Sequence, residues 1–141
     1  MLEVPVVRPA RGFIDLVLLD QPPTRAICTE IQSELRRLEQ LIRWANEKAL
    51  ALPSAPFWYR IGETPSVERL LVVRSTRSNR EIATRFAETL GVAYPGGSSD
   101  AYRALTTADS AWPGPTLLWA DVQRDLTTIF DRPPRGVTVG R

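Results

Sequence analysis

The sequence contains no histidine and only one cysteine, and both shortages exclude kinds of chemistry. Without histidine there is no histidine general acid or base, no Ser-His or Cys-His nucleophile pair and no His-ligated zinc site. The single cysteine, Cys28, cannot form a disulfide within the chain, and its position in an apolar run predicts a buried thiol. These features suit a reducing compartment, so we expect a cytoplasmic protein.

Lysine is equally scarce, because Lys48 is the only one and arginine supplies the rest of the 18 basic side chains. Against 16 acidic residues this leaves a formal charge of +2, so charge alone does not indicate a nucleic-acid partner. No apolar run approaches transmembrane length, and the first residues lack the pattern of a signal peptide. We therefore expect a soluble protein without a membrane partner.

The rest of the composition is that of a globular domain. Apolar residues make up 43% and charged residues 24% of the 141 positions, which is ordinary for a chain with one hydrophobic core. We predict one domain over residues 1–128 and a poorly packed tail, rich in proline, glycine and arginine, over residues 129–141.

Hydrophobic periodicity predicts a strand meander followed by alternating helices and strands. Strands are expected over residues 3–8, 13–19, 25–32, 68–74 and 116–122. Helices are expected from an N-cap at Ser33 to Pro53, from a Ser78–Glu81 capping box to Gly91, and over residues 100–107. Residues 53–66 are predicted to form a loop. This order favours an α/β fold with a central mixed β-sheet flanked by helices.

Two acidic residues lie in the second and third predicted strands. If these strands pair symmetrically about the turn at residues 21–24, Asp15 lies opposite Glu30, and Gln32 shares the face of Glu30. Two neighbouring carboxylates are stabilised by a divalent cation such as Mg²⁺, which takes carboxylate, water and phosphate oxygens as ligands. The spacing therefore indicates a phosphodiester site.

The same pattern also has a simpler interpretation. The two carboxylates would then lie at strand ends, where they are solvated or paired with Arg11, Arg25 or Arg36. Paired strand carboxylates are common in proteins, so the spacing leaves both interpretations open.

The order of Asp15, then Glu30-Ile31-Gln32 leading into a helix, resembles the Asp…Glu-X-Lys core of the restriction-endonuclease-like PD-(D/E)XK superfamily. More narrowly, GFIDLVLLD…TEIQSELRRLEQLIRW and LLVVRSTRSNREIATRF resemble an endonuclease-like domain found in bacterial proteins behind an N-terminal helix-turn-helix regulator domain. The resemblance covers residues 10–122. It implies a restriction-endonuclease-like core, with Asp15 and Glu30 as ligands of Mg²⁺ or Mn²⁺ in an active enzyme and DNA as substrate.

Departures from the family pattern bear on activity. The family's lysine, which helps to activate the attacking water and stabilises developing phosphoryl charge, corresponds to Gln32, a neutral amide that orients water but supplies no charge. Arg36, one turn beyond Gln32 on the predicted helix, is the candidate substitute. The family also often carries an acidic residue on a helix before its first strand, for which Glu3 is a weak replacement.

Four residues are candidates for nucleic-acid contacts: Arg36, Gln40, Arg77 and Arg80. Gln40 and Trp44, four residues apart on one predicted helix, resemble the Gln-X-X-X-Tyr element of the exonuclease-type branch. Arg77 and Arg80 lie at a strand-to-helix junction, where helix amides and guanidinium groups suit phosphate. The alternative is that these side chains form an ordinary solvated surface.

Three functions remain open. We favour a nucleic-acid-associated module of a regulator, with weakened or lost catalysis and no cofactor, that works with a helix-turn-helix partner domain or as a homodimer. The second is an active Mg²⁺- or Mn²⁺-dependent DNA nuclease with Asp15, Glu30 and Gln32 as its catalytic residues. The third is a domain for protein–protein contacts or dimerisation alone.

Overall fold

The computed structural model describes residues 1–62 and 64–141, and Glu63, in the predicted loop 53–66, lies outside the described residues. Within the described residues the chain is α/β, with a six-stranded mixed sheet and four flanking α-helices. The strands lie in the sheet in chain order. The predicted fold class and mixed sheet are confirmed.

The elements agree with most of the predicted ones. The strands are β1 (Leu2–Val6), β2 (Gly12–Leu19), β3 (Arg25–Gln32), β4 (Ser66–Arg74), β5 (Thr116–Gln123) and β6 (Leu126–Ile129). The helices are α1 (Leu38–Ala51), α2 (Arg77–Arg85), α3 (Ala87–Ala93) and α4 (Ser98–Thr106), with short 3₁₀ helices at Leu52–Ser54 and Trp58–Arg60. No helix within the described residues is both long enough and apolar enough to span a membrane.

The first three strands form an antiparallel meander whose register positions the acidic residues. Strand β1 pairs with β2, and β2 pairs with β3 so that Leu16 lies opposite Thr29 and Val17 opposite Cys28. The same register, continued by one residue, places Asp15 opposite Glu30. This is the symmetrical pairing that the sequence predicts.

The chain divides into two compact units, one of residues 1–30 and 37–70 and one of residues 31–36 and 71–141. The core of the first unit includes Val4, Val6, Ile14, Val17, Ala26, Cys28, Ala49 and Leu52. The second unit buries Leu71, Val73, Leu90, Leu117, Leu118 and Trp119. Burial of apolar surface of this kind is the main stabilising contribution in each unit.

Helix α1 begins at Leu38, four residues later than the Ser33 N-cap predicts. The side chain of Asn79 explains the delay: its Oδ1 accepts from the Leu35 amide at 2.8 Å, and its Nδ2 donates to the Ser33 carbonyl at 3.0 Å. These backbone groups are satisfied outside a helix, so Ser33–Leu35 form a turn. The N-cap position is instead Arg37, in a left-handed conformation at φ 47°.

The later start moves Arg36 off the helix. It cannot lie one helical turn beyond Gln32, as predicted, and it forms an ion pair with Glu34 at 2.7 Å instead. Arg36 is therefore no substitute for the lysine of the PD-(D/E)XK pattern.

The Ser78–Glu81 capping box is also wrong. The N-cap of α2 is Thr76, which is extended and whose hydroxyl accepts from the Asn79 amide at 3.1 Å. Glu81 pairs with Arg77 at 3.0 Å rather than reaching back to the backbone. The helix begins earlier because the Thr76 hydroxyl already accepts from the Asn79 amide, one of the free amides of its first turn.

The single helix predicted to end at Gly91 is two helices. Phe86, at φ −109° and ψ 32°, leaves the helical conformation and separates α2 from α3. Helix α3 then continues past Gly91 to Ala93. Phe86 is exposed rather than packed on a continuous apolar stripe.

The segment predicted as a poorly packed tail is packed within the second unit. Val137 and Val139 are buried, and the Ser98 amide donates to the Gly140 carbonyl at 2.8 Å. Its first residue, Ile129, ends β6, a strand that the sequence did not predict. The two valines are two residues apart, so both reach the core despite the surrounding proline and glycine.

Candidate functional site

A buried ion pair lies at the predicted acidic site. Lys48 Nζ donates to Glu30 Oε2 at 2.8 Å, and the two side chains are only 20% and 8% exposed. Lys48 lies on α1 beside the buried residues Ala45 and Ala49, so this face of the helix points inward. Helix α1 thereby places the only lysine of the chain against a carboxylate of the sheet.

Asp15 acts on the same carboxylate from the neighbouring strand. Burial raises the pKa of Glu30 above its ordinary value of 4.5, the hydrogen bond and positive charge of Lys48 lower it in part, and the charge of Asp15 raises it further. The net direction is upward. The structure therefore brings Asp15 and Glu30 together, as predicted, and also places the Lys48 ammonium group against Glu30.

Two of the arginines named by the simpler interpretation form ion pairs with other acidic residues. Arg25 pairs with Asp20 at 3.1 Å, and Arg36 pairs with Glu34. The partner of Glu30 is Lys48 from helix α1, so none of the three arginines is the ion-pair partner of Glu30.

While Lys48 is paired with Glu30, the residues at this site do not fit a resident divalent cation. Within residues 1–62 and 64–141, no group of three or more His, Cys, Asp and Glu side chains is placed to hold a metal ion. Of the two carboxylates, Glu30 already accepts from an ammonium group, which repels a cation and competes with it for Oε2. Asp15 and Glu30, the predicted metal ligands, therefore form a charge-compensated pair.

Cys28 and Arg69 extend the cluster along β3 and β4. Burial and the charge of Glu30 raise the pKa of the Cys28 thiol to about 12, and the positive charge of Arg69 lowers it in part. Arg69 also donates to Asn46 Oδ1 on α1. Two carboxylates and two cations thus gather around this part of the sheet, so their formal charges cancel.

The burial of Cys28 can be tested through the reactivity of its thiol. With a pKa of about 12 instead of 9.0, the thiolate is a minute fraction at pH 8, and only the thiolate reacts with alkylating agents. We expect iodoacetamide to label the native protein roughly a hundredfold or more slowly than the protein in urea. Equal rates in the two states, measured by mass spectrometry, would contradict the burial of Cys28 beside Glu30.

The remaining predicted site residues lie on β3, on α1, in the turn before α1 and on α2. Gln32 is the last residue of β3 and is half-buried, two residues from Glu30 on the same strand. Gln40 is half-buried on α1. Arg36 lies in the exposed turn before α1.

Asn79 assembles the arginine junction of the second unit. Besides its bonds to the 33–35 turn, its Nδ2 donates to the Arg74 carbonyl at 2.8 Å, which ties that turn to the end of β4 and the start of α2. Arg80 Nη1 donates to the carbonyl and hydroxyl of Ser75 at 3.2 and 3.0 Å, whereas the Arg77 side chain is 90% exposed. Arg36, Arg77 and Arg80 therefore belong to one unit.

Sequence reasoning assigned no role to Lys48 or Asn79. The signal for Lys48 was its uniqueness in a chain otherwise rich in arginine. For Asn79 the sequence offers no signal, since an asparagine near a helix start is usually a surface residue.

A scan of protein-family models, a search of curated proteins and a search of solved structures each returned no match for this chain. The resemblance to the PD-(D/E)XK superfamily therefore remains a prediction that rests on the sequence motif.

Proposed function

We propose that this chain is a nucleic-acid-associated module with a restriction-endonuclease-like core in which catalysis is weakened or lost. The observation that carries the proposal is the ion pair between Lys48 and Glu30. An ammonium group fixed on Glu30 supplies positive charge where a metalloenzyme would place its cation, so the acidic pair is stable without metal. Such a module would serve a regulator, together with a helix-turn-helix partner domain or as a homodimer.

The arginine junction supports association with a nucleic-acid backbone. Arg36 and Arg77 are exposed on one unit, and Asn79 fixes the turn that carries Arg36 against the start of α2. Guanidinium groups bind phosphate in bidentate fashion, and the first amides of a helix favour anions. Each arginine is paired with a nearby glutamate, and phosphate would compete with these exposed pairs at little cost.

Duplex binding should depend on these two arginines. We expect the double substitution Arg36→Gln and Arg77→Gln to weaken binding to a fluorescent DNA duplex and to lower the slope of log K against log salt by about 2. The matched control is Arg85→Gln with Arg103→Gln, which removes two other exposed arginines of the same unit. Anisotropy titrations without metal would contradict the proposal if both double variants bound like the parent, or if the parent bound no duplex.

One observation favours a second candidate, an active metal-dependent DNA nuclease. Lys48 contacts the acidic pair, so it is available for the role that the family resemblance assigns to the position of Gln32. In that case Lys48 would leave Glu30 and help to activate the attacking water.

A further inference from the structure

A cavity of about 610 Å³ opens in the first unit beside Lys48 and is lined by Pro9, Ala10, Arg11, Trp44, Glu47 and Lys48. Its volume lies in the range of small-molecule sites. Trp44 and Glu47 lie three residues apart on α1 and Lys48 one residue further, so all three project from the same helix face. None of the functions considered above assigns a ligand to this cavity.

The cavity holds one cation and one anion that are not used elsewhere in the described structure. Arg11 and Glu47 form no ion pair with any residue in ranges 1–62 and 64–141, whereas Lys48 is held by Glu30. A charged side chain without a partner at the wall of a cavity is open to a ligand of opposite charge. The wall therefore offers a guanidinium for an anion and a carboxylate for a hydrogen-bond donor.

Trp44 adds a flat apolar surface between these polar groups. Trp44 is 49% exposed although it lines the cavity, so packing leaves part of the indole open to a ligand. An exposed indole binds planar rings by stacking, and every nucleobase can stack on an aromatic side chain.

We propose that this cavity binds a nucleoside monophosphate unit that carries an exocyclic amine. The base stacks on Trp44, its amine donates to the Glu47 carboxylate, and the phosphate binds Arg11. Cytosine has such an amine and uracil has a carbonyl in its place, so Glu47 discriminates between them. The same unit could come from a free nucleotide or from the phosphorylated end of a single strand.

The inference does not depend on the proposed function. Duplex association was assigned to Arg36 and Arg77, which belong to the other unit and do not line this cavity. Either activity can therefore fail while the other survives.

The test is a calorimetric titration of CMP and UMP into the full chain and matched variants. We expect CMP to bind at least about tenfold more tightly than UMP, and Trp44→Leu or Arg11→Gln to weaken CMP binding about tenfold. Glu47→Gln should reduce the preference for CMP over UMP. The controls are Tyr59→Leu, an exposed aromatic elsewhere in the unit, and Arg43→Gln, an exposed arginine of α1 outside the cavity wall.

Short oligonucleotides distinguish the two sources. A single strand with a 5′-phosphorylated cytidine that binds more tightly than CMP, and more tightly than the same strand with a 5′-hydroxyl, identifies a strand end as the ligand. Tighter binding of CMP identifies a free nucleotide. The proposal is overturned if neither CMP nor the strand saturates at millimolar concentration, or if the Trp44 and Arg11 variants, folded by circular dichroism, bind as tightly as their controls.

Discussion

Replacing Asn79 with alanine is expected to lower the free energy of unfolding by about 4 kcal/mol. Asn79 is completely buried, and its side chain serves the Leu35 amide and the Ser33 and Arg74 carbonyls. Alanine removes all three hydrogen bonds and leaves the buried Leu35 amide without its acceptor, which costs more than that bond itself contributes. Urea unfolding, followed by circular dichroism, measures the loss.

Two companion variants separate this effect from a general loss of helix stability. Ser78→Ala changes an exposed neighbour in the same helical turn and should alter stability by less than about 0.5 kcal/mol. Asn79→Asp keeps the acceptor for Leu35 but places a buried charge against two carbonyl oxygens, so it should be at least as damaging as alanine. A loss below about 1 kcal/mol for Asn79→Ala would show that the side chain does not hold the 33–35 turn.

Replacing Lys48 with methionine is expected to lower the free energy of unfolding by about 3 kcal/mol at pH 7.5, because Glu30 would remain buried without its cation. Methionine keeps the length and apolar stem of the side chain, so the loss reports mainly on the charge. Thermal or urea unfolding at several pH values measures it.

The loss should depend on pH in a defined direction. The pKa of folded Glu30 is raised above 4.5, so the folded state binds this proton more tightly than the unfolded state. The stability that Glu30 contributes is therefore fully present below about pH 4.5 and falls as the pH rises through the folded pKa. Without Lys48 that pKa rises further, so the cost of Lys48→Met should be largest at neutral pH and shrink towards pH 5.

Glu30→Gln supplies the control, because glutamine cannot titrate. The double variant Lys48→Met with Glu30→Gln should lose less stability than Lys48→Met alone. Its stability should also lack the pH dependence that comes from the Glu30 carboxyl. A pH-independent loss in Lys48→Met would instead mean that the ammonium group does not compensate Glu30.

The placement of Asp15 opposite Glu30 was predictable because it depends on local features. A turn at residues 21–24 joins two apolar strands, and symmetrical pairing about a turn fixes the register. The α/β class was predictable for a similar reason, since it follows from the order of periodic segments along the chain.

The cation at the site and the start of α1 were not predictable in this way. Lys48 is 18 residues from Glu30, and only the rotation of α1 against the sheet decides which of its side chains reaches the carboxylate. Asn79 is 44 residues from Leu35 in the sequence. No residue near Ser33 therefore indicates that the Ser33 carbonyl accepts from the Asn79 side chain rather than from an amide of a helix. Tertiary contacts decide both features, and at Ser33 they override a local capping preference.

The central claim is that Lys48, rather than a metal ion, compensates the acidic pair. Calorimetric titration of Mg²⁺ and Mn²⁺ into the parent protein, Asp15→Ala and Lys48→Met, followed by a plasmid-nicking assay, tests it most directly. We expect the parent to bind neither ion at millimolar concentration and to leave the plasmid intact, and Lys48→Met, checked for folding, to gain metal binding. Stoichiometric metal binding by the parent, lost in Asp15→Ala and accompanied by nicking, would contradict the claim and establish an active nuclease.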